Sequence, residues 1–209
     1  NGTVIDHGRT HQKVKRLICP PELSFDLRKG FPLLTTKRMA MKNTVKELLW
    51  FIRGIPDSKI LEEQGCNFWK GNSSKEALSN LGLNYREGDC GPIYPFQWRH
   101  SGAEYKGCFE DYSGQGIDQL DRLIRGLRDD PSGRRHILSA WNVADIEKMA
   151  LPPCHSFCQF FVEYEKNEPV GLTCKMTQRS ADVFLGLPIN IASYALLTSM
   201  IASLTGYTP

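Results

Sequence analysis

Three strand-like patterns follow one another in this sequence with only loops between them, and that order limits the available folds more than any other feature. HILSAWN (136–142), FCQFFVEY (157–164) and VGLTCKMT (170–177) each alternate in part between apolar and polar side chains over the length of a strand. Helical patterns flank them. NTVKELLWFI (43–52) has a polar cap at Asn43, apolar positions at Val45, Leu48, Leu49 and Ile52, and Glu47 inside. Shorter helices are expected over 57–65 and 74–82, each with a capping side chain in front and a glycine behind, bracketing a loop with Phe68, Trp69 and Asn72. Ile117, Leu120, Ile124 and Leu127 recur at helical spacing up to the breaker Asp129-Asp130-Pro131-Ser132-Gly133, and a last helix over 191–204 meets Gly206 and Pro209. Helices and strands mixed without regular alternation predict an α+β fold. No repeat, linker or low-complexity tract divides residues 1–209, so one domain is expected.

Composition narrows the function. A formal charge of +3 from 26 basic and 23 acidic side chains is too balanced for a polyanion surface, so phosphate recognition must be local and a small phosphorylated ligand fits better than a duplex. Apolar stretches such as 192–197 are broken by Ser and Thr, and no signal-peptide pattern opens the chain, so no membrane segment is expected. The seven cysteines are odd in number, scattered and free of a C-x-x-C pair, which argues against a disulfide framework or a zinc knuckle and for a reducing, cytoplasmic compartment, with the nucleus or mitochondrion as further options.

Three segments carry chemistry. In Leu151-Pro152-Pro153-Cys154-His155 two prolines stiffen the backbone before a cysteine at the mouth of a strand. A nucleophilic cysteine needs positive charge nearby to become a thiolate, and Arg134, Arg135 and Arg179 are candidates. A metal held by Cys154, His155 and Cys158 lacks a fourth ligand at sensible spacing, and strand alternation would point the three apart, so no metal is expected. Gln178-Arg179-Ser180-Ala181-Asp182 suits a phosphate, because a guanidinium fork donates two parallel bonds and a hydroxyl a third; the competing reading is a surface ion pair between Arg179 and Asp182. Asn190, ahead of the last helix, reads alone as an ordinary N-cap. Its amide also offers a donor beside an acceptor, complementing the O4 and N3–H edge of uracil.

MALPPCH, QRSADVFLGLPINIASYALL, FPLLTTKR, ELLWFIRG and GPIYPFQWRH together resemble the thymidylate synthase family over essentially the whole chain, and DYSGQGIDQL resembles an insert of its eukaryotic members. The resemblance implies that family's α+β fold, a mixed sheet packed with helices, and an obligate symmetric dimer joined through the sheet. It implies reductive methylation of dUMP to dTMP with 5,10-methylenetetrahydrofolate as cosubstrate. Carried over by position, Cys154 adds to C6 of dUMP beside Arg179; Arg9, Arg179 and Ser180 hold the 5′-phosphate, and Arg134 and Arg135 reach the partner's phosphate in trans. Asn190 reads uracil, Glu47 moves protons through water, Tyr94 assists removal of the C5 proton, and His155, Gln178 and Asp182 belong to the nucleotide site. Trp69, Asn72, Leu151, Asp182 and Gly186 would line the folate pocket, with Lys37 near its glutamate tail.

The sequence departs from the pattern in places. Thr10-His11-Gln12-Lys13 replaces a glycine-rich run after Arg9, and Lys70, Pro95, Thr177 and Ile189 stand where the family has Asp, Gly, Tyr and Phe. The His-x-Tyr element and closing C-terminus of the family cannot be identified before Pro209, so the domain is expected to lack that segment. Alternatives are a dUMP hydroxymethylase and a catalytically silent relative serving as a dimer partner or RNA-binding protein.

Overall fold

In the computed structural model, which describes residues 2–7, 12–17 and 22–209, a hairpin of β1 (Thr3–His7) and β2 (Gln12–Arg16) comes first. The sequence patterns miss it because Ile5 opposite Val14 is its one apolar cross-strand pair; backbone pairing rather than a buried face defines it. The helices follow: α1 (Met41–Arg53), α2 (Lys59–Glu63), α3 (Lys75–Asn80), α4 (Tyr94–His100) and α5 (Gln119–Asp129). β3 (Ile137–Ser139), β4 (His155–Glu165) and β5 (Glu168–Gln178) form an antiparallel sheet in the order β3-β4-β5, and α6 (Gly186–Thr205) closes the described chain. This is the α+β arrangement expected.

The β4–β5 turn is tight. Lys166 and Asn167 both have positive φ, 51° and 71°, the two-residue geometry whose twist matches the flanking strands. The inner sheet face carries Cys158, Phe160 and Leu172 into a core shared with Leu138, Leu127 of α5, and Leu197, Ile201 and Ala202 of α6. Helix α1 packs against both α4 and α6, placing Trp50, Phe51 and Trp98 at the centre.

The buried face of α1 is rotated from the one its aliphatic residues suggest. Thr44, Glu47, Leu48 and Phe51 face inward at helical spacing, Trp50 is also buried, and Leu49 is 42% exposed. Two large aromatic rings remove more apolar area from water than one leucine, so they decide the rotation and carry Glu47 inside with them. The cap differs too: Ala40 rather than Asn43 precedes the helix, and Gly54 ends it in the left-handed region at φ 83°.

Helix α4 is invisible to periodicity because Tyr94 through Trp98 are all buried, leaving no polar face to mark a period. Pro95 fits its first turn, where an N–H is not needed. Polar side chains tie it down: Gln97 Nε2 donates to Asp145 Oδ2 at 2.9 Å, and Gln119 Nε2 donates to the Gln97 and Ser139 carbonyls at 2.6 and 2.7 Å, linking α4, α5 and β3.

Helix α6 starts at Gly186, not Ile191, so Asn190 lies in its second turn and is not the cap. At 20 residues it is long and apolar enough to cross a membrane by length and composition, contrary to the expectation that Ser and Thr break the run. In the fold it is a core helix, with 56% of that window buried and Ser193 and Thr198 among its buried residues.

Gly91 decides how closely the segment before α4 approaches the one leading to Cys154. Its φ is 70°, and a Cβ there would meet the Lys148 carbonyl oxygen inside contact distance; Tyr85 Oη donates to that same carbonyl at 3.1 Å, and Ala150 N donates to Cys90 O at 3.0 Å. Gly91→Ala combines a disfavoured backbone with a clash against backbone. It is expected to lower stability by about 2–4 kcal/mol, measurable from the urea midpoint.

Candidate active site

The chain ends of β4 and β5 build one corner. His155 pairs with Gln178, so Cys154 and Arg179 lie just beyond paired strands, and Arg179 N donates to Cys154 O at 2.9 Å. The guanidinium then grips the two prolines: Nε donates to Pro153 O at 2.8 Å and Nη2 to Pro152 O at 2.6 Å. These bonds leave Nη2 3.8 Å from Cys154 Sγ, so negative charge developing on the sulfur meets a fixed cation. Trp141, a residue the sequence reading passed over inside a strand pattern, has its ring 5.6 Å from the guanidinium carbon. The competing ion pair with Asp182 is not formed: Asp182 Oδ1 instead accepts from Phe184 N at 3.0 Å and Leu185 N at 2.7 Å, leading the chain into α6.

Behind the cysteine lies a dry wall. Tyr94, the first residue of α4, accepts the Cys154 N–H at its hydroxyl oxygen at 2.7 Å. Burial, reinforced by the neighbouring Cys154 and Glu47, raises its phenol above the usual range, so it stays neutral and works through hydrogen bonds. Trp69 Nε1 donates to Glu47 Oε1 at 2.8 Å, and the Trp69 and Tyr94 rings meet edge-on at 6.0 Å. Burial pushes Glu47 up to about 7 while the Trp69 bond pulls the other way. A carboxyl that titrates near neutrality can both deliver and accept a proton.

The polar corner continues on α6. Gln178 Nε2 donates to Asn190 Oδ1 at 3.0 Å, which fixes that amide and leaves its NH2 group and a second oxygen lone pair for a ligand. Ser180 is exposed next to Arg179. Lys37 Nζ donates to Phe184 O at 3.0 Å and sits 4.8 Å over its ring, so Lys37 and the 182–186 turn come together, with Val183, Phe184 and Leu185 consecutively exposed. Asp182 O accepts from Gly186 N at 3.0 Å, Leu151 packs on the core, and Asn72 N donates to Trp69 O at 3.0 Å.

Other expected residues lie elsewhere. Phe160 N donates to His136 O, so Arg135 is level with Phe161, seven positions along β4 from Cys154. At strand rise that is roughly 20 Å, beyond an arginine's reach. Arg134 and Arg135 are exposed and cannot join this chain's own Cys154. His155 turns inward, 7% exposed, with Nδ1 2.7 Å from Tyr194 Oη; Tyr194 sits in a run that reads only as core. Arg9 lies outside the described residues. Clefts of about 540 Å³ against α5 (Ile117, Asp118, Arg122) and about 550 Å³ along 24–32 (Phe25, Phe31) contain none of the residues around Cys154. Among the described residues no group of three His, Cys, Asp or Glu side chains is placed to hold a metal, and the six described cysteines are free.

The family model described as thymidylate synthase matches residues 1–209. Thymidylate synthase of Candida albicans is 52% identical over 218 residues, covering 95% of this chain and 69% of the relative. That of Agaricus bisporus is 55% identical over 203 residues, covering 96% and 69%. The bifunctional dihydrofolate reductase-thymidylate synthase of Zea mays is 55% identical over 189 residues, covering 90% of this chain and 35% of that protein.

Glu47 links the site to stability. Its carboxyl ionises near 4.5 when unfolded and near 7 when folded, so the fold binds that proton more tightly. The resulting stabilisation is fully present below pH 4.5 and is lost as pH rises to 7. Glu47→Gln removes the dependence: urea titrations at pH 4.5 and 8 should show the difference between variant and parent shifting by on the order of 3 kcal/mol in favour of Gln at the higher pH.

Proposed function

This chain belongs to the thymidylate synthase family and is a methyltransferase of that kind, and we propose that Cys154 opens its reaction by adding to C6 of dUMP. Identity above half to synthases from two fungi does not favour the hydroxymethylase or the silent relative. The observation that carries the proposal is the Arg179 guanidinium, pinned by the Pro152 and Pro153 carbonyls at 3.8 Å from Cys154 Sγ. Such a cation favours the attacking thiolate without having to reorganise.

Around that sulfur the tasks are divided, with Arg179 serving both the thiolate and the phosphate. Arg179 and Ser180, with Arg9, take the 5′-phosphate; Asn190, oriented by Gln178, reads the uracil edge. Addition at C6 makes C5 nucleophilic, and once C5 is substituted its proton must leave. The Tyr94 hydroxyl, which already receives the Cys154 N–H, assists that departure through water, while Glu47 exchanges protons at the ring's O4 side. Methylenetetrahydrofolate supplies the one-carbon unit and then the hydride. Lys37 suits the anionic tail of such a ligand; Trp69, Asn72, Leu151 and Asp182 to Gly186 offer a wall that includes the exposed apolar run 183–185.

Iodoacetamide labelling at pH 7 tests the nucleophile. Cys154 should react ahead of the buried thiols and be protected by dUMP, and Arg179→Gln should slow its labelling about ten-fold. Equal reactivity of parent and variant would remove Arg179 from this role.

The partner is proposed to be a second copy of the chain. Ile137, Phe157 and Phe161 project from the outward sheet face, each 38% to 43% exposed, an apolar patch suited to pairing sheet against sheet. Arg134 and Arg135 border it, roughly 20 Å from their own Cys154. They then serve the neighbour's phosphate. When Cys154→Ala and Arg135→Ala chains are mixed, half the dimers are hybrid and each holds one intact site. Activity should recover to about a quarter of the parent level, and no recovery would count against the shared site.

A further inference from the structure

The placement of Tyr94 is not explained by its own helix. Its ring lies 4.1 Å from the His155 imidazole between centroids, with planes 23° apart, and 4.7 Å from Phe51 at 27°. Phe51 is 2% exposed and needs no reason beyond the core. His155 does: an imidazole brings two polar nitrogens into a buried setting, which costs stability unless they are bonded. One of them is, through the Tyr194 hydroxyl at 2.7 Å, and the two rings meet edge-on at 5.3 Å and 80°. Burial also drives the imidazole down to about 3, so it is neutral at working pH and lies on the phenol as an uncharged plate.

Three contacts therefore act on Tyr94. The Cys154 N–H fixes the hydroxyl's direction within the ring plane, and the plane is held by the stacked Phe51 ring together with the closer imidazole. The imidazole is itself referenced to α6, where Tyr194 lies four residues after Asn190 and so shares a helix face with it. One rigid element thus sets both the group that reads the base and the ring assigned to its C5 proton.

We propose that His155 is a positioning residue for Tyr94, its imidazole face holding the phenol plane while the Tyr194 hydroxyl holds the imidazole. This rests on the reading that Tyr94 assists loss of the C5 proton, and it moves His155 from the nucleotide contact implied by resemblance to the layer behind. The inward turn of His155 supports the move.

The test compares two double variants of the full chain that both delete the polar pair, so neither leaves an orphaned hydroxyl: His155→Phe with Tyr194→Phe keeps an aromatic face, and His155→Leu with Tyr194→Phe loses it. Both are assayed with dUMP and with C5-deuterated dUMP, and their melting temperatures are compared. The aromatic variant should keep kcat within about five-fold of the parent, and the leucine variant should lose about a hundred-fold with an unchanged KM for dUMP and a C5 isotope effect on kcat. Equal kcat in the two, with Tyr94→Phe crippled, overturns the positioning role. A raised KM for dUMP with kcat preserved in both returns His155 to the nucleotide and also overturns it. If Tyr94→Phe itself keeps full kcat and shows no isotope effect, the reading of Tyr94 fails, an outcome distinct from the other two.

Discussion

Arg179 is bound to one turn by its backbone and by its side chain, and the corner around Cys154 depends on that grip. Its N–H closes the strand pair by bonding Cys154 O, and its guanidinium takes the Pro152 and Pro153 carbonyls. Prolines suit this use, since each has a carbonyl to offer, no N–H to satisfy and a φ that is already set. An arginine spent on two carbonyls looks structural. Yet those bonds hold the cation at the sulfur, so the same contacts that complete the hairpin also organise the proposed nucleophile.

The corner divides into a wet side and a dry side. Arg179, Ser180 and Asp182 are exposed. Glu47, Tyr94 and His155 are buried, and burial moves each toward its neutral form: the carboxyl and phenol upward, the imidazole downward. In the proposed reaction, proton handling then falls to groups that are not permanently charged, and charge recognition to groups that are. The division follows from α1 turning Trp50 and Phe51 inward, because that rotation takes Glu47 out of water.

The elements that periodicity does not reveal share one property. Helix α4 has no polar face, the first hairpin has almost no apolar one, and α1 has aromatic residues that outweigh its aliphatic stripe. Periodicity detects contrast between two faces, so elements without contrast escape it. Where contrast existed, in α5 and in the three strands, the expected segments formed within a few residues of the expected limits. Asn190 was ambiguous alone for a related reason: whether it caps α6 depends on where the helix starts, and it starts at Gly186, five residues before the expected boundary at Ile191.

The sequence by itself determined the α+β class, the family, and the identity of the chemical groups, since ordered motifs such as MALPPCH and QRSAD specify side chains and their chain positions. It also implied that Cys154, in the proposed role of nucleophile, needs a cation. The residues alone left three candidates and the family resemblance pointed to Arg179; the tertiary structure supplies the physical reason, since Arg179, 25 positions later, reaches the sulfur through strand pairing, while Arg134 and Arg135, 20 and 19 positions earlier, are carried roughly 20 Å away along β4. The same holds for Glu47 and His155, whose protonation at neutral pH depends on burial. Sequence states which groups are present, but desolvation and distance are properties of the space between segments, and those arise only when the chain has packed.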